Sequence, residues 1–322
     1  MGFDAAPASE AEKEQLKALR AALADEAIPP VPGPAIDEDL NLLRFVRGYA
    51  REKRPIQAAA RAFKSMLQWR AQNGMDAARG EMLAGPGDEP RWPLELERFA
   101  TLKAQTGDGL ARRLGTSRDG MPVTLCLIHR YDVSGVLRAR LGDDLLAFQR
   151  YLDEYWLVEL QRRSRSVGRV VGRIDLVYTA DMKLNHFGFK AIAFFPKILG
   201  GSKHYPESAA RIVSIGNNKV AVALYNRVIR PFVPAHTKEK LTILGRDLES
   251  ESIVACMDLD EPTTAALHAA IAGGRPGGAA PSARAPDDDD DEPAPPPPSP
   301  GEDDYVLVEP PSPPDHRRGF PP

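Results

Sequence analysis

The segment RIDLVYTA, residues 173–180, packs Ile174, Leu176, Val177 and Tyr178 into the length of one strand. A short apolar run of this kind reads as a strand buried on both faces. Before it lies an amphipathic helix, about 143–163, carrying Leu146, Phe148, Leu152, Tyr155, Trp156 and Leu160. After it comes a helical pattern over 187–203. Working outward, PVTLCLIH at 122–129 follows the Asp119-Gly120 turn signal, and ARIVSIG at 210–216, a helix over 219–231 and KLTIL at 240–244 continue the alternation. Strands alternating with helices predict an α/β fold whose sheet is mostly parallel and covered by helices.

The first part of the chain is helical. Residues 9–25 place Leu16, Leu19 and Leu23 on one stripe. Asp37 is expected to cap a second helix, DEDLNLLRFVRGYA, with Leu40, Leu43 and Val46 on its buried side and its arginines facing elsewhere. A third starts at Pro55, an early helical position, and spaces Ile56, Ala60, Phe63 and Leu67 at four, three and four before Gly74 stops it. These boundaries predict an N-terminal helical bundle over 1–80 and a sheet-containing domain over 95–262.

From Arg275 onward the chain is mostly Pro, Gly, Ala and Asp, too poor in apolar surface to offset the entropy of ordering it, and 275–322 reads as a disordered acidic, proline-rich tail. Beyond Pro286, eleven acidic residues face Arg317 and Arg318, a charge of −9, so the formal net charge of −3 leaves +6 on residues 1–285. A basic body with a detached acidic tail suits reversible contact with an anionic leaflet, or is ordinary solvated charge. Neither reading calls for nucleic acid. The two cysteines, Cys126 and Cys256, imply no disulfide framework. The first residues lack a signal-peptide core, Ala6 stands where acylation wants Ser or Thr, and no run reaches the roughly 18 apolar residues of a membrane span. A soluble, cytoplasmic chain with peripheral membrane association is expected.

Nothing in the sequence matches a glycine-rich phosphate loop, a dinucleotide turn, a nucleophile elbow or a paired Cys/His metal spacing, so no catalytic residue, cofactor or metal is expected. Gly200-Gly201-Ser202-Lys203-His204 is the nearest approach to such a motif, but it follows a helix and reads as a helix stop. The helices over 187–203 and 219–231 carry apolar residues nearly all round. Either both cover a sheet, or part of their surface lines a cavity for an acyl or isoprenoid chain.

Four ordered segments carry a resemblance: LLRFVRGY with FKSMLQWRAQNG; SRDGMPVTL; HYPESAARIVSIGNN; and IRPFVPAHTKEKLTILG. In this order, from Leu42 to Gly245, they resemble the CRAL-TRIO lipid-binding family. The resemblance implies a helical region packed on a sheet that encloses one hydrophobic lipid under a helical gate. It implies ligands such as phosphatidylinositol, phosphatidylcholine, sterol precursors, tocopherol or retinoids, and exchange of lipid at membranes. Residue by residue, Glu207, Thr237 and Lys240 occupy the positions that meet an inositol phosphate in relatives. The gate matches 219–230, with Arg227 and Arg230 toward anionic headgroups. Leu127, Val177, Phe194, Phe195, Val222, Tyr225 and Ile229 are expected around the lipid tail. The chain departs from the pattern at Tyr49-Ala50, where relatives carry a basic pair and only Arg51 is nearby. It departs again in DMKLNHF, which lacks the hydroxyls used for a choline phosphate, and in DLDEPTTAALHAAIAGG, which suggests a shortened last sheet element.

Two short signals remain. RRSRSVGR at 162–169 is either a basic loop open to phosphorylation at Ser164 and Ser166 or a solvated helix end. EDDYVLVE in the tail, through Tyr305 to Val308, has the pattern of segments that add as a strand to a partner protein. The sequence thus predicts a non-catalytic carrier that binds a single lipid and transfers or presents it at membranes. The alternatives are a scaffold or regulatory module that binds small GTPases or other proteins and, third, a lipid hydrolase for which no nucleophile and base are recognisable.

Overall fold

A computed structural model describes residues 6–85, 89–128, 133–180, 189–216, 219–226, 230, 238–243 and 258–273. Residues Met1–Gly278 form one compact unit. Four helices lead: α1 (Glu10–Ala22), α2 (Asp39–Gly48), α3 (Pro55–Gln72) and α4 (Met75–Leu83). Then come α5 (Ala100–Thr106), β1 (Arg112–Thr116), β2 (Pro122–Leu127), α6 (Val133–Arg138), α7 (Gly142–Val167) and β3 (Arg173–Tyr178). The remainder is α8 (Phe189–Leu199), β4 (Ala209–Ile215), α9 (Lys219–Leu224), β5 (Leu241–Ile243) and α10 (Glu261–Gly273). Among the described residues no helix is long and apolar enough to cross a membrane.

Local chemistry sets the helix ends. Ser9 and Glu12 form a reciprocal capping box at the start of α1. Pro55 opens α3, and Gly74, at φ 64°, separates α3 from α4. Asp37 does not cap α2: the helix begins at Asp39, and Glu38, at the cap position, sends its carboxylate to Arg165 instead. Leu19, Leu42, Phe45, Phe63 and Met66 knit α1, α2 and α3 into one apolar cluster.

The sheet is mixed and mostly parallel, in the order β1-β2-β3-β4-β5. Gly120, at φ 82°, turns the antiparallel β1–β2 hairpin, and the remaining pairs are parallel. Strand order equals chain order, so the described strands contain no reversal of the kind that opens a ligand crevice in doubly wound sheets. Register sorts the side chains into two rows. Val123, Leu125, Leu127, Ile174, Leu176, Tyr178, Val213 and Ile215 make a fully buried row. The opposite row, with Cys126, Asp175, Val177, Ile212 and Ser214, is only partly buried. Burial and the Asp175 charge push the Cys126 thiol up to about 12.

Five elements escaped the sequence reading: α4, α5, β1, α6 and α10. The short α4 sits between breakers, and β1 (RRLGT) shows no apolar alternation. The last sheet element, expected to be shortened, is reduced to a bridge, Ser117 to Leu259, and the segment continues as helix α10. Asp260 begins α10 by accepting from the Thr263 amide at 2.8 Å and from the Thr116 hydroxyl at 2.7 Å. The Thr116 amide donates to Thr263 Oγ1 at 2.8 Å. Any Cβ at Gly115 would lie 2.1 Å from that oxygen, so only glycine permits the approach.

Buried charge joins the helices to α7. Glu154, fully buried, accepts from Arg70 and from Arg79 at 3.3 Å, and the Tyr205 hydroxyl donates to it at 2.9 Å. Asp76 takes a second nitrogen of Arg70 at 2.6 Å. Burial opposes the charge on Arg70, but Glu154 outweighs it and holds the guanidinium above its ordinary range. Arg44, expected on an outward face, is 3% exposed and donates to the Val171 carbonyl at 2.7 Å and Ser164 Oγ at 3.1 Å. Both arginines escape the pattern because α2 and α3 are covered on more than one side. Glu154→Ala leaves two guanidinium groups buried with too little countercharge and is expected to cost about 3–5 kcal/mol in urea denaturation. A loss below about 1 kcal/mol would mean that the network carries little of the stability.

Candidate functional site

The turn into β4 carries the first candidate. Glu207 holds φ 54°, a left-handed conformation that costs a non-glycine residue energy and is kept only where surroundings enforce it. Two contacts enforce it here. Arg44 Nη1 donates to the Glu207 carbonyl at 2.8 Å, and Lys240 Nζ meets the Glu207 carboxylate at 2.8 Å. Lys240, just before β5, also donates to the Ala209 carbonyl at 3.0 Å. Glu207 is therefore not a helix-start carboxylate, and Lys240 is not a lone surface cation. Their side chains are 13% and 16% exposed, within reach of a ligand. Burial brings the Arg44 guanidinium down to about 10, with the Glu207 charge acting against the shift. Arg51, from the departure at Tyr49-Ala50, pairs with Glu239 beside Lys240. Thr237, the third expected headgroup residue, lies outside the described residues.

The expected tail residues do not share one surface. Leu127 pairs with Tyr178 and Cys126 with Val177, so Leu127 lies in the buried row and Val177 in the opposite one. One chamber on one face of the sheet cannot be lined by both. On α8, Ala191, Phe195 and Ile198 are buried while Phe194 is only partly so, packing toward Gly142 at the start of α7. Lys197 and Ala193 are exposed, so this helix does have a wet face. On α9, Ala221 is buried, but Val222 is 37% exposed and turns outward; Tyr225, just beyond, is intermediate. Arg230 is exposed. Arg227, Ile229 and the tail segment from Tyr305 to Val308 lie outside the described residues.

The sequence GGSKH after α8 does more than stop a helix. With the end of α3 and the first half of α7 it bounds a cleft of about 200 Å³. None of the six described tail residues lines it. Asp153, 5% exposed, lies at its floor, accepting from Gln149 at 3.2 Å and from the Ser202 hydroxyl at 3.3 Å. Burial pushes the Asp153 carboxyl up to about 7, against the pull of Arg173. His204 is stacked on Trp69, ring centroids 4.9 Å apart, and burial with the neighbouring Lys203 brings it down to about 4. Ser202 thus meets Asp153 directly, with no histidine placed between them as a nucleophile's base. The sequence signal for this cleft was the Gly200-Gly201 pair: a Cβ on Gly201 would meet Trp69 at 3.3 Å and Asp153 at 3.0 Å. Among the described residues no cluster of three or more His, Cys, Asp or Glu could hold a metal ion.

Ser164 proves unavailable for modification. It is fully buried, donates to the Leu160 carbonyl at 2.6 Å and accepts from the Val171 amide at 3.0 Å. Ser166 is exposed near the end of α7, which runs to Val167 before Gly168 at φ 68°.

Comparison with known proteins gives limited likenesses. No family model matches the chain. Two curated relatives named Protein real-time are similar: that of Aedes aegypti is 24% identical over 209 residues, and that of Anopheles gambiae 23% over 207. Each alignment takes in 64% of this chain, but only 29% and 27% of the respective relative. The chain therefore spans less than a third of the length of these relatives. The crystal structure of Sfh5 is similar with a TM-score of 0.45 and 14% identity, covering 84% of this chain and 99% of that one.

The cleft predicts a pH dependence. Folding raises the Asp153 pKa from 3.8 to about 7, so the folded chain holds a proton that the unfolded chain has lost between those values. Its contribution to stability is full at low pH and is lost as pH rises through about 7. Asp153→Asn is expected to stabilise the chain by roughly 2–4 kcal/mol at pH 8 and far less near pH 4, measured by chemical denaturation. An equal effect at both pH values would show that the buried carboxyl is not the titrating group.

Proposed function

We propose that this chain is a non-catalytic lipid carrier of the CRAL-TRIO type, with an enclosed apolar chamber that holds one phospholipid for transfer or presentation at membranes. The observation that carries the reading is the Glu207–Lys240 pair. The resemblance assigns both residues to an inositol phosphate, and the fold brings them to 2.8 Å across 33 residues of sequence. Lysine offers a point charge to a phosphate and glutamate an acceptor for ring hydroxyls. The ion pair keeps both charges partnered while no headgroup is present. The exposed Arg230 adds positive charge suited to an anionic leaflet, whereas Arg51 is paired with Glu239. The mixed sheet beside a helical layer, and the four ordered segments from Leu42 to Gly245, support the same family.

Energetics require a gate. A chain of about 16 carbons, buried at roughly 0.8 kcal/mol per methylene, is held by on the order of 12 kcal/mol, so unaided escape into water is very slow. Pockets for ligands of drug size span roughly 300–1,000 Å³. The cleft beside GGSKH, at about 200 Å³, is too small and too polar for the acyl chain. The chamber that the carrier reading requires is therefore a space other than this cleft.

Native mass spectrometry of the full chain, purified without detergent, is expected to show one lipid-mass adduct and lipid uptake from mixed phosphatidylinositol and phosphatidylcholine liposomes. Lys240→Gln is expected to lower phosphatidylinositol uptake about tenfold, the loss of one charge-assisted contact, while sparing phosphatidylcholine. A chain with neither bound lipid nor uptake would overturn the carrier reading. Equal losses for both lipids would remove the headgroup role of Lys240.

A further inference from the structure

The carrier reading leaves the cleft beside GGSKH unused, although its composition is unlike that of a packing flaw. Three of its lining residues are cations: Arg150 on α7, Lys197 on α8 and Lys203 in the turn after it. Among the described residues no carboxylate forms an ion pair with any of the three. Elsewhere in the fold, the buried Arg44, Arg70 and Arg79 each meet carbonyls, hydroxyls or carboxylates. Lys197 Nζ lies 5.8 Å from the Phe194 ring centroid, and Asp153 at the floor of the cleft is held to Gln149 and Ser202 rather than to any of the three, so the mutual repulsion of these cations is left for a bound anion to relieve.

The walls are built as well as charged. Trp69 and His204 stack at an interplanar angle of 21°, and the turn approaches Trp69 so closely that a Cβ at Gly201 would lie 3.3 Å from the indole, tighter than ordinary contact. Ser202 is held to Asp153, which fixes the turn against α7. A guanidinium with two ammonium groups is a donor set suited to phosphate oxygens, and the indole face offers an apolar wall to whatever the phosphate is attached to. A volume of about 200 Å³ admits a phosphate with a few further heavy atoms.

We infer that this cleft is a binding site for a small phosphate monoester, gripped by Arg150, Lys197 and Lys203 against the Trp69–His204 stack. Neither Glu207 nor Lys240 lines it, so the inference stands apart from the carrier reading. The phosphate reaches the cleft either as a soluble ester or as the headgroup of a phospholipid.

Trp69 supplies the readout, because Trp92 and Trp156 are buried and Trp69 is partly exposed in the cleft. The full chain is titrated with inorganic phosphate, with glycerol 3-phosphate and, separately, with phosphatidylcholine vesicles with and without phosphatidic acid. A saturable change in tryptophan emission is expected, with a dissociation constant of about 1 mM or tighter for the soluble esters or for the phosphatidic acid vesicles. It is expected to vanish in Trp69→Phe. The double variant Lys197→Gln with Lys203→Gln, both exposed positions, is expected to keep its thermal midpoint and to bind about tenfold more weakly or worse. The tighter of the two arms identifies the source of the phosphate. No saturable response in either arm, or unchanged affinity in the double variant, overturns the site. A chain that takes up no lipid yet responds to glycerol 3-phosphate loses the carrier reading and keeps this one.

Discussion

Glu154 is a carboxylate with no exposure to water, and the fold is arranged so that it is never without a cation. Desolvating such a group costs several kcal/mol, recovered only where hydrogen-bonding geometry is good on every side. Here Arg70 comes from α3, Arg79 from α4 and the Tyr205 hydroxyl from the turn into β4, all converging on one residue of α7. Arg44 does the same from α2, tying the end of α7, the approach to β3 and the carbonyl of Glu207. The helical layer is therefore coupled to the sheet by directional contacts as well as by apolar burial. The strained backbone of Glu207 depends on that coupling, since one of its two restraints comes from α2.

The same coupling fixes the turn that carries both candidate sites. The Glu207–Lys240 pair and the cleft floored by Asp153 lie at opposite ends of a single turn, residues 200–207, which Tyr205 anchors to Glu154. Each end carries its own charge pattern: a closed ion pair at one, and at the other three cations lining a cleft with Asp153, whose carboxyl burial pushes up to about 7. The turn that carries both is held by Arg44 at the Glu207 carbonyl and by Tyr205 at Glu154.

Much of the architecture was legible in the sequence because it rests on patterns with a period. The runs at 122–129, 173–180 and 210–216 each contain a strand, and Pro55, Gly74 and Gly120 punctuate the chain where they should. What could not be read depends on third parties. β1 has no apolar alternation of its own and is shaped by Thr263 reaching over Gly115. Arg44 and Ser164 look like surface residues until α2 is laid against α7. Leu127 and Val177 are both apolar, and only the parity of β2 against β3 puts them on opposite faces. The motif at Glu207 and Lys240 was legible from family resemblance, whereas its left-handed backbone and its clamp by Arg44 belong to the fold.

The central claim is that helical layer and sheet are one cooperative structure held by buried charge. Native-state hydrogen exchange resolves this directly, because amides in separate units open with separate free energies. The slowest amides of α2 and α3 should exchange with the same opening free energy, and the same denaturant dependence, as those of β2, β3 and β4. Exchange of α2 and α3 at a markedly lower free energy, while the sheet stays protected, would contradict the account.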